Sequence, residues 1–250
     1  SPLYKGAFLL YICPMNKAIN FHVITIFPEA FLSYLNSSIL KRAIDAGLIK
    51  VEFYNPRDFA DNKWRKVDDR PYGGGPGMVM YAEPIIKAVE SIKLKLGHGV
   101  SKLLHRAVLC KTITFSAQGK QFTNSEARPL SKKYTDIILI CGHYEGIDAR
   151  TTKILKAEEV SIGPYILTGG ELPAMILIDS ISRQIKGVLG KEESLEEDRI
   201  ASPEVYTRPE ILIHNKKKYR VPKVFLSGHH AKIEEYKKEL KTKRGKKKSD

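Results

Sequence analysis

The chain has 250 residues, of which 42% are hydrophobic and 28% charged, and its formal net charge is +14 at neutral pH. This length allows one large domain, or one domain with a small appendage, and it can bury a core without disulfides or metals. A mean hydropathy of −0.27 and the lack of an apolar run of about 18 residues argue against an integral membrane protein, and the apolar content argues against a disordered chain.

Cysteine usage and the first residues indicate the compartment. Cys13, Cys110 and Cys141 are far apart and form no C-x-x-C pair. This pattern argues against a secreted disulfide scaffold and a structural zinc cluster, so we expect a reducing, cytoplasmic setting. Residues 1–14 are expected to be an extra N-terminal segment or a cloning remnant, with a weak signal peptide as the alternative.

The first third of the chain predicts two strands, with helices between and after them. Residues 21–27 and 48–54 are rich in β-branched and aromatic residues and predict strands. Cap and stop residues within 28–47 predict two short helices between these strands. Residues 61–80 lack periodicity and predict a polar, glycine-rich loop, whereas apolar residues recur at helical spacing over 83–96.

The same alternation continues over the next hundred residues. Residues 107–115 and 135–141 predict strands, and a Ser/Thr-capped helix is expected between them at 124–133. A short strand at 160–163 and an apolar helix at 172–185 follow. Strands alternating with helices predict an α/β fold with a parallel sheet.

Charge divides the remainder of the chain. Residues 15–190 are expected to be the main domain, 191–202 an acidic linker, and 203–250 a small, basic, mainly helical C-terminal domain. The last 35 residues carry fourteen Lys/Arg against four Asp/Glu. Clustered positive charge gains affinity for a polyanion by releasing counterions, which favours nucleic acid as the partner. A solvated tail is the alternative, and membrane-surface binding lacks a clean apolar face.

Three segments leave predicted strands through small or glycine residues, at 114–119, 141–148 and 162–170. Ligands in open α/β sheets bind beyond the carboxyl ends of the strands, so these loops are expected to converge. Glycine lets the backbone approach a ligand closely. Neither G-x-G-x-x-G nor a P-loop is present. A shared small-molecule pocket is the favoured interpretation, and ordinary turns are the alternative.

A fourth loop, V-D-D-R-P-Y-G-G-G-P-G-M at 67–78, places Asp68, Asp69 and Arg70 beside four glycines and two prolines. Such a composition is more typical of a binding element or lid than of a passive connector. A flexible linker is the alternative, although Arg-Pro-Tyr is stiffer than a Gly/Ser linker.

The combination of this loop with Y-I-L-T-G-G-E-L-P-A-M at 165–175 is highly specific. From Met15 to about residue 240 the sequence resembles the bacterial tRNA (guanine-N1)-methyltransferase (TrmD) family of the SPOUT methyltransferase superfamily. Further matching segments are I-F-P-E at 26–29, P-R-D-F at 56–59, and residues 142–148, 161–179 and 222–230.

The resemblance implies a SPOUT-type α/β sheet with a deep trefoil knot at the cofactor site and a homodimer with active sites at the subunit interface. Deep knots are rare exceptions to the rules of chain connection. The implied cofactor is S-adenosylmethionine, and Mg²⁺ is expected without identifiable ligands. The residues implied to bind the cofactor are Thr114, Phe115, Ser116, Ala117, Gly142, Tyr144, Glu145, Gly146, Ile162, Gly163, Pro164, Tyr165, Ile166, Leu167, Gly169, Gly170 and Pro173.

The implied reaction is methyl transfer to N1 of guanosine at position 37 of tRNA, next to the anticodon. That nitrogen carries a proton at neutral pH, and negative charge develops toward O6 when the proton leaves, so a base and a cation are required. The resemblance assigns these roles to Asp198 and Arg183. It also implies that Asp68, Arg70 and Gly77 matter for tRNA binding and that the C-terminal domain grips the anticodon branch.

The residues alone would place Asp198 in a solvated acidic run and Arg183 on the polar side of an ordinary helix. Ala117 and His143 depart from the family, which usually has proline and arginine there. Residues 97–110 are longer and more basic than usual. A SPOUT enzyme acting on another RNA and a catalytically silent RNA-binding protein are the competing hypotheses, and the intact loops together with Asp198 argue against both.

Overall fold

The computed structural model describes residues 18–97, 109–189 and 204–246, with only the backbone described at 241 and 243–246. The chain divides into two compact units, Ser1–Gly190 and Lys191–Asp250. The segment predicted at 1–14 and the linker predicted at 191–202 lie outside the described residues. No helix of the described part is both long and apolar enough to cross a membrane.

The first unit alternates strands and helices along the chain. Its elements are β1 (Ile19–Ile24), α1 (Glu29–Leu35), α2 (Ser38–Asp45), β2 (Ile49–Tyr54), a 3-10 helix (Pro56–Phe59), β3 (Asp68–Asp69), β4 (Val79–Met80), α3 (Ala82–Lys95), β5 (Cys110–Gln121), α4 (Asn124–Lys133), β6 (Asp136–Ile140), α5 (Arg150–Leu155), β7 (Glu158–Ser161) and α6 (Glu171–Ser182).

Five of these strands form one sheet in the order β2-β1-β6-β5-β7, and every neighbouring pair is parallel. The predicted α/β fold with a parallel sheet is therefore confirmed. Because all strands run in one direction, their carboxyl ends meet at one edge, where open α/β sheets bind ligands. The trefoil knot stays a prediction.

Side-chain alternation along the strands divides the core into two layers. Phe21 and Leu139 face one cluster, in which α1, α2, α4 and α6 cover the sheet. Ile24 and Ile138 face the other, which contains α3 and Leu155 of α5. Successive side chains of a strand point to opposite faces, so strands apolar on both faces require helices on both sides.

The structure differs from the predicted elements in several places. β1 ends at Ile24 rather than at 27, and the predicted loop at 61–80 contains the antiparallel pair β3 and β4. β5 does not stop at 115: its pairing with β7 is interrupted after Phe115 and resumes at Lys120. The intervening residues 116–119 leave the ladder, which a sequence pattern cannot distinguish from the end of a strand.

The second unit contains a two-stranded hairpin that the prediction of a mainly helical domain did not include. β8 (Ile211–His214) and β9 (Lys217–Arg220) pair antiparallel across a two-residue turn, and α7 (Lys223–Leu226) and α8 (His230–Lys246) follow. Asn215 and Lys216 both have positive φ, as the commonest two-residue hairpin turns require. Lysine is not typical of that turn position, so the hairpin is difficult to predict from the sequence.

Candidate active site

A cavity of about 380 Å³ opens at the carboxyl edge of the parallel sheet. Every residue that the resemblance implied for the cofactor lines it except Pro164. The lining also includes residues that were not predicted to bind: His143, Ile147, Ala149, Thr152, Glu159, Val160, Ser161 and Thr168. The three glycine-bearing loops therefore converge, as the position of strand ends predicts, and ordinary isolated turns are not what the structure shows.

The cavity wall depends on close approach of backbone to backbone. The amide of Gly170 donates to the carbonyl of Gly142 at 2.8 Å. A Cβ at Gly170 would lie 2.6 Å from the Cα of Cys141, and a Cβ at Gly119 would lie 2.7 Å from the carbonyl carbon of Glu159. Only glycine fits these two positions without moving main chain.

Tyr144 and Tyr165 give the cavity its aromatic surface. Tyr144 has φ of +58°, a conformation that is uncommon for a residue with a side chain and that is enriched at active sites and ligand-binding sites. The Tyr165 hydroxyl donates to the carbonyl of Ile162 at 3.1 Å, and the Tyr165 amide donates to the carbonyl of Gly163 at 2.9 Å. The 162–165 turn is thus fixed by its own hydrogen bonds.

A polar cluster underlies the cavity at the start of α6. The Glu171 side chain is buried, and its Oε1 accepts a hydrogen bond from the Thr25 hydroxyl at 2.7 Å. His143 Nδ1 lies 3.6 Å from Glu171 Oε2, and its ring packs edge-on against Phe27. His143, which stands where the family usually has arginine, therefore places its imidazole against the carboxylate of Glu171.

The loop at 67–78 is joined to the cavity by main-chain hydrogen bonds. Glu145 donates its amide to the carbonyl of Met78 at 3.0 Å, and Met80 donates to the carbonyl of Gly146 at 2.9 Å. A Cβ at Gly77 would overlap the carboxylate of Glu145. The loop predicted to bind tRNA and the pocket predicted to bind the cofactor are consequently adjacent in one chain.

The base of this loop is fixed by Asp69. Hydrogen bonds from the Tyr81 hydroxyl at 2.7 Å, the Arg70 amide at 2.8 Å and the Lys66 ammonium at 3.2 Å lower the pKa of Asp69 to about 2. Asp68 pairs with Met80 across β3 and β4. Asp68, Arg70 and Gly77 therefore lie within or next to one loop.

Of the two predicted catalytic residues the structure describes only Arg183, which does not line the cavity of its own chain. Arg183 follows α6 as its C-terminal capping residue, whereas Gly170 and Pro173 line the cavity at the other end of the same helix. The twelve residues of α6 lie between Gly170 and Arg183, so the two are thirteen steps apart, a distance of about 20 Å at 1.5 Å per step. Asp198 lies outside the described residues.

Some lining residues could have been found from the sequence and others could not. His143, Ile147 and Thr168 lie inside the loops at 141–148 and 162–170, which were predicted to form the pocket. They could have been included among the predicted cofactor-binding residues. Ala149 and Thr152 contribute through the start of α5, a helix of six residues that sequence periodicity did not reveal.

Metal and thiol chemistry find little support in the described residues. They contain no group of three or more His, Cys, Asp or Glu side chains that could hold a metal ion. The expected Mg²⁺ is therefore not supported. Burial raises the pKa of the Cys141 thiol well above its usual value, so this residue stays protonated and belongs to the packed core.

Comparison with known proteins agrees with the geometry. The family profile described as tRNA (Guanine-1)-methyltransferase TrmD matches residues 19–250. A relative from Clostridioides difficile (strain 630), named tRNA (guanine-N(1)-)-methyltransferase, is 47% identical over 225 residues, covering 88% of this chain and 91% of the relative.

Relatives of the same name occur in distant bacteria. The protein of Carboxydothermus hydrogenoformans is 46% identical over 220 residues (86% of this chain, 80% of the relative). That of Buchnera aphidicola subsp. Schizaphis graminum is 46% identical over 222 residues (87% and 79%). With the profile match extending over most of its length, the chain belongs to the tRNA (guanine-N1)-methyltransferase family.

Proposed function

We propose that the protein is a cytoplasmic enzyme that transfers a methyl group from S-adenosylmethionine to N1 of guanosine 37 in tRNA. One observation carries the proposal: a cavity made by three glycine-bearing loops is joined through main-chain hydrogen bonds to the loop at 67–78. Membership of the family supplies the reaction class.

The lining of the cavity suits an adenosyl group. Its volume of about 380 Å³ lies in the usual range for small-molecule sites. Tyr144, Ile162 and Leu167 offer apolar surface, and the carboxylates of Glu145 and Glu159 offer acceptors for hydroxyl or amino groups. The close approach of Gly170 to the backbone of Cys141 is compatible with the deep trefoil knot that the SPOUT superfamily implies.

The chemistry requires two groups beyond this cavity. S-adenosylmethionine, when bound, supplies an electrophilic methyl group. In our proposal the carboxylate of Asp198 accepts the N1 proton of the guanine, and the guanidinium of Arg183 donates to O6, where negative charge develops. A positioned base typically contributes about 10²–10⁴-fold to a rate, and a donor at the developing charge contributes further.

The position of Arg183 supports a homodimer with shared active sites. Leu172, Ile176, Asp179 and Arg183 recur at intervals of three or four along α6 and its cap, so they lie on one face of the helix. Leu172 is 55% exposed and Ile176 41% exposed. The carboxylate of Asp179 accepts a hydrogen bond from Tyr34 of α1.

The exposed apolar side chains of this face, Leu172 and Ile176, mark the surface on which we place a second copy of the chain. Leu32 of α1, a helix that contacts α6, is also 50% exposed, and exposed apolar patches on a folded domain are typical of an interface. An isologous contact along α6 would bring Arg183 of each copy toward the other copy. Such a contact removes the difficulty that, within one chain, about 20 Å of helix separates Arg183 from the cavity.

Labelled methyl transfer to a tRNA transcript tests the proposal. We expect incorporation into a transcript with guanosine at position 37 and none into the matched transcript with adenosine there. Equal labelling of both would contradict a mechanism that removes a proton from guanine N1. No labelling of either, with purified protein that binds S-adenosylmethionine, would contradict the proposed reaction as a whole.

Substitution of the proposed base sharpens the test. Asp198→Ala should lower the rate of methyl transfer about 10²-fold or more while S-adenosylmethionine binding, measured by calorimetry, is retained. Glu197→Ala is the matched control, because it removes a neighbouring carboxylate from the same acidic run, and it should keep most of the activity. Equal losses in the two variants would remove Asp198 from its proposed role.

A further inference from the structure

A short turn next to the tRNA loop presents a tryptophan to solvent. We define residues 61–66 as the Trp64 turn. Trp64, which is the only tryptophan of the chain, is 82% exposed. Exposing so large an apolar ring costs hydration free energy, and exposed aromatic side chains of this size are typical of binding surfaces.

The turn is held in a defined conformation by its own hydrogen bonds. The Asn62 side chain accepts from the amide of Lys66 at 2.7 Å and donates to the Lys66 carbonyl at 2.8 Å. The Arg65 amide donates to the carbonyl of Asn62 at 3.0 Å, and Arg65 has φ of +50°. Trp64 is therefore presented from a fixed turn, which lowers the entropy lost when a ligand binds.

The surroundings of the ring are basic. The Lys63 ammonium lies 5.6 Å from the centre of the Trp64 ring, within cation-π range. The segment 57–66 carries four Lys/Arg against two Asp. Both carboxylates are already engaged, Asp58 with Arg65 at 3.3 Å and Asp61 with Lys87.

The Trp64 turn continues directly into the loop at 67–78. Lys66 at its end forms the ion pair with Asp69 that fixes the base of that loop. The next residue, Val67, accepts the Tyr81 amide through its carbonyl at 2.8 Å. A nucleic acid that contacts the loop can therefore reach the turn without crossing unrelated surface.

We propose that Trp64 is a stacking platform for one unpaired base of the RNA substrate, with Lys63 and Arg65 contacting the flanking phosphates. Proteins bind single-stranded nucleic acid by combining exposed aromatic rings with cationic side chains, because every base offers a π-face and every nucleotide a phosphate. The proposal rests on the proposed function for the identity of the RNA, and it adds a contact outside the loop at 67–78.

Charge favours RNA over the other occupants. A second copy of the chain would bring an identical cluster of positive charge against this one, and like charges brought together destabilise an interface. A membrane surface would need an apolar face, whereas within the turn Trp64 is flanked by Lys63 and Arg65. Single-stranded RNA, in which bases alternate with phosphates, matches both the aromatic ring of Trp64 and the positive charges beside it.

The chain itself supplies the probe, because Trp64 is its only tryptophan. Tryptophan emission, excited selectively, should be quenched when unmodified tRNA transcript is added, and Trp64 should become protected from quenching by acrylamide. Heparin is the matched control, since it is a polyanion without bases. Equal quenching by heparin, or no quenching by tRNA, would overturn base stacking.

Two substitutions separate the aromatic ring from the rest of the turn. Trp64→Ala should weaken tRNA binding about 5- to 150-fold, the usual effect of removing one stacked base. Trp64→Phe keeps a ring and should stay within about three-fold of wild type. Leu94→Ala, at an exposed apolar residue of α3, should leave tRNA affinity unchanged. Equal tRNA affinity of wild type and Trp64→Ala would overturn the proposal.

Methyl-transfer kinetics distinguish failure of this proposal from failure of the proposed function. In Trp64→Ala the KM for tRNA should rise while kcat at saturating tRNA stays near the wild-type value. A wild-type protein that binds tRNA with Trp64 quenching but transfers no methyl group would contradict the proposed reaction and leave the stacking platform supported. Normal methyl transfer with an unchanged KM for tRNA in Trp64→Ala would contradict the stacking platform and leave the proposed reaction supported.

Discussion

The two edges of the parallel sheet use different means to hold polar groups. At the carboxyl edge, Gly142 and Gly170 bring main chain against main chain, and the cavity is lined by loop backbone and a few side chains. At the amino edge, polar side chains bind to one another instead. His22 Nε2 lies 3.1 Å from Asp136 Oδ1, and the Asn20 amide donates to the same oxygen at 2.9 Å.

We attribute this difference to the ligand site that we propose at the carboxyl edge, whereas the polar groups of the amino edge pair with one another. A ligand site needs backbone close to the bound molecule, which glycine permits. At the amino edge most buried polar atoms find partners within the protein, although His22 Nδ1 has no hydrogen-bond partner and lies 3.7 Å from Glu52 Oε2. Burial by itself raises the pKa of Asp136, but the hydrogen bonds from His22, Thr135 and Asn20 outweigh it, and the net pKa is lowered. We therefore expect substitutions at one edge to affect ligand binding and at the other to affect stability.

The largest effect is expected from Gly170→Ala. The added Cβ would lie 2.6 Å from the Cα of Cys141. Main-chain atoms cannot move away from such a clash as easily as the end of a flexible side chain. We expect S-adenosylmethionine affinity, measured by calorimetry, to fall about 30-fold or more, which corresponds to the upper part of the usual cost of overpacking.

Gly142→Ala is the matched control for this prediction. It adds the same methyl group to the cavity wall, but its nearest contact is the Ile147 side chain at 3.1 Å, which can shift by a few tenths of an ångström. Its effect should be smaller, about five-fold. An effect of Gly142→Ala as large as that of Gly170→Ala would show that backbone contact is not what shapes the cavity.

At the amino edge, Asp136→Ala should lower the free energy of unfolding by about 2–3 kcal/mol, because it leaves the buried His22 ring and the half-buried Asn20 side-chain amide without their acceptor. Denaturant unfolding measures the loss, and S-adenosylmethionine affinity of the folded fraction should not change. Asp136→Asn keeps an acceptor oxygen at the position and should lose less. A loss of cofactor affinity without a loss of stability would contradict the comparison.

The same carboxylate predicts a pH dependence. The pKa of Asp136 in the folded protein lies below its ordinary value of 3.8, so the ionised form stabilises the fold. That contribution is complete above the unfolded pKa and is lost as pH falls through the folded pKa. The stability difference between wild type and Asp136→Asn should therefore be constant down to about pH 5 and shrink below pH 4.

The sequence predicted the parallel sheet and the convergence of three loops because both follow from short-range patterns and from the direction of parallel strands. It could not predict the excursion at 116–119, because a strand that leaves the ladder and returns to the same neighbour looks like a strand that ends. The contact of His143 with Glu171 depends on the pairing of the loop after β6 with the loop before α6, which residue spacing does not encode.

The surface features were the least predictable. Trp64 stood in a segment predicted to be a polar loop, and only the hydrogen bonds of Asn62 show that the ring is held outward on a fixed turn. The exposed face of α6 could not be predicted either, because apolar residues occur on most sides of this helix. The sequence pattern therefore does not distinguish core positions such as Leu177 from exposed ones such as Ile176.

The smallest expected effect tests whether the carboxyl edge is coupled to the loop at 67–78. Gly77 has φ of +82° and Gly73 has φ of +89°, so alanine strains the backbone at both positions by about 1–2 kcal/mol. Only at Gly77 would the Cβ meet another residue, the carboxylate of Glu145, whereas nothing lies within 4 Å at Gly73. Because Glu145 lines the cavity and the end of its side chain can move, Gly77→Ala should weaken S-adenosylmethionine binding about three-fold, somewhat less than the usual cost of overpacking. Gly73→Ala should leave it unchanged, as calorimetry on the two variants would measure. Equal cofactor affinities in both variants would mean that the loop and the cavity are neighbours without being coupled.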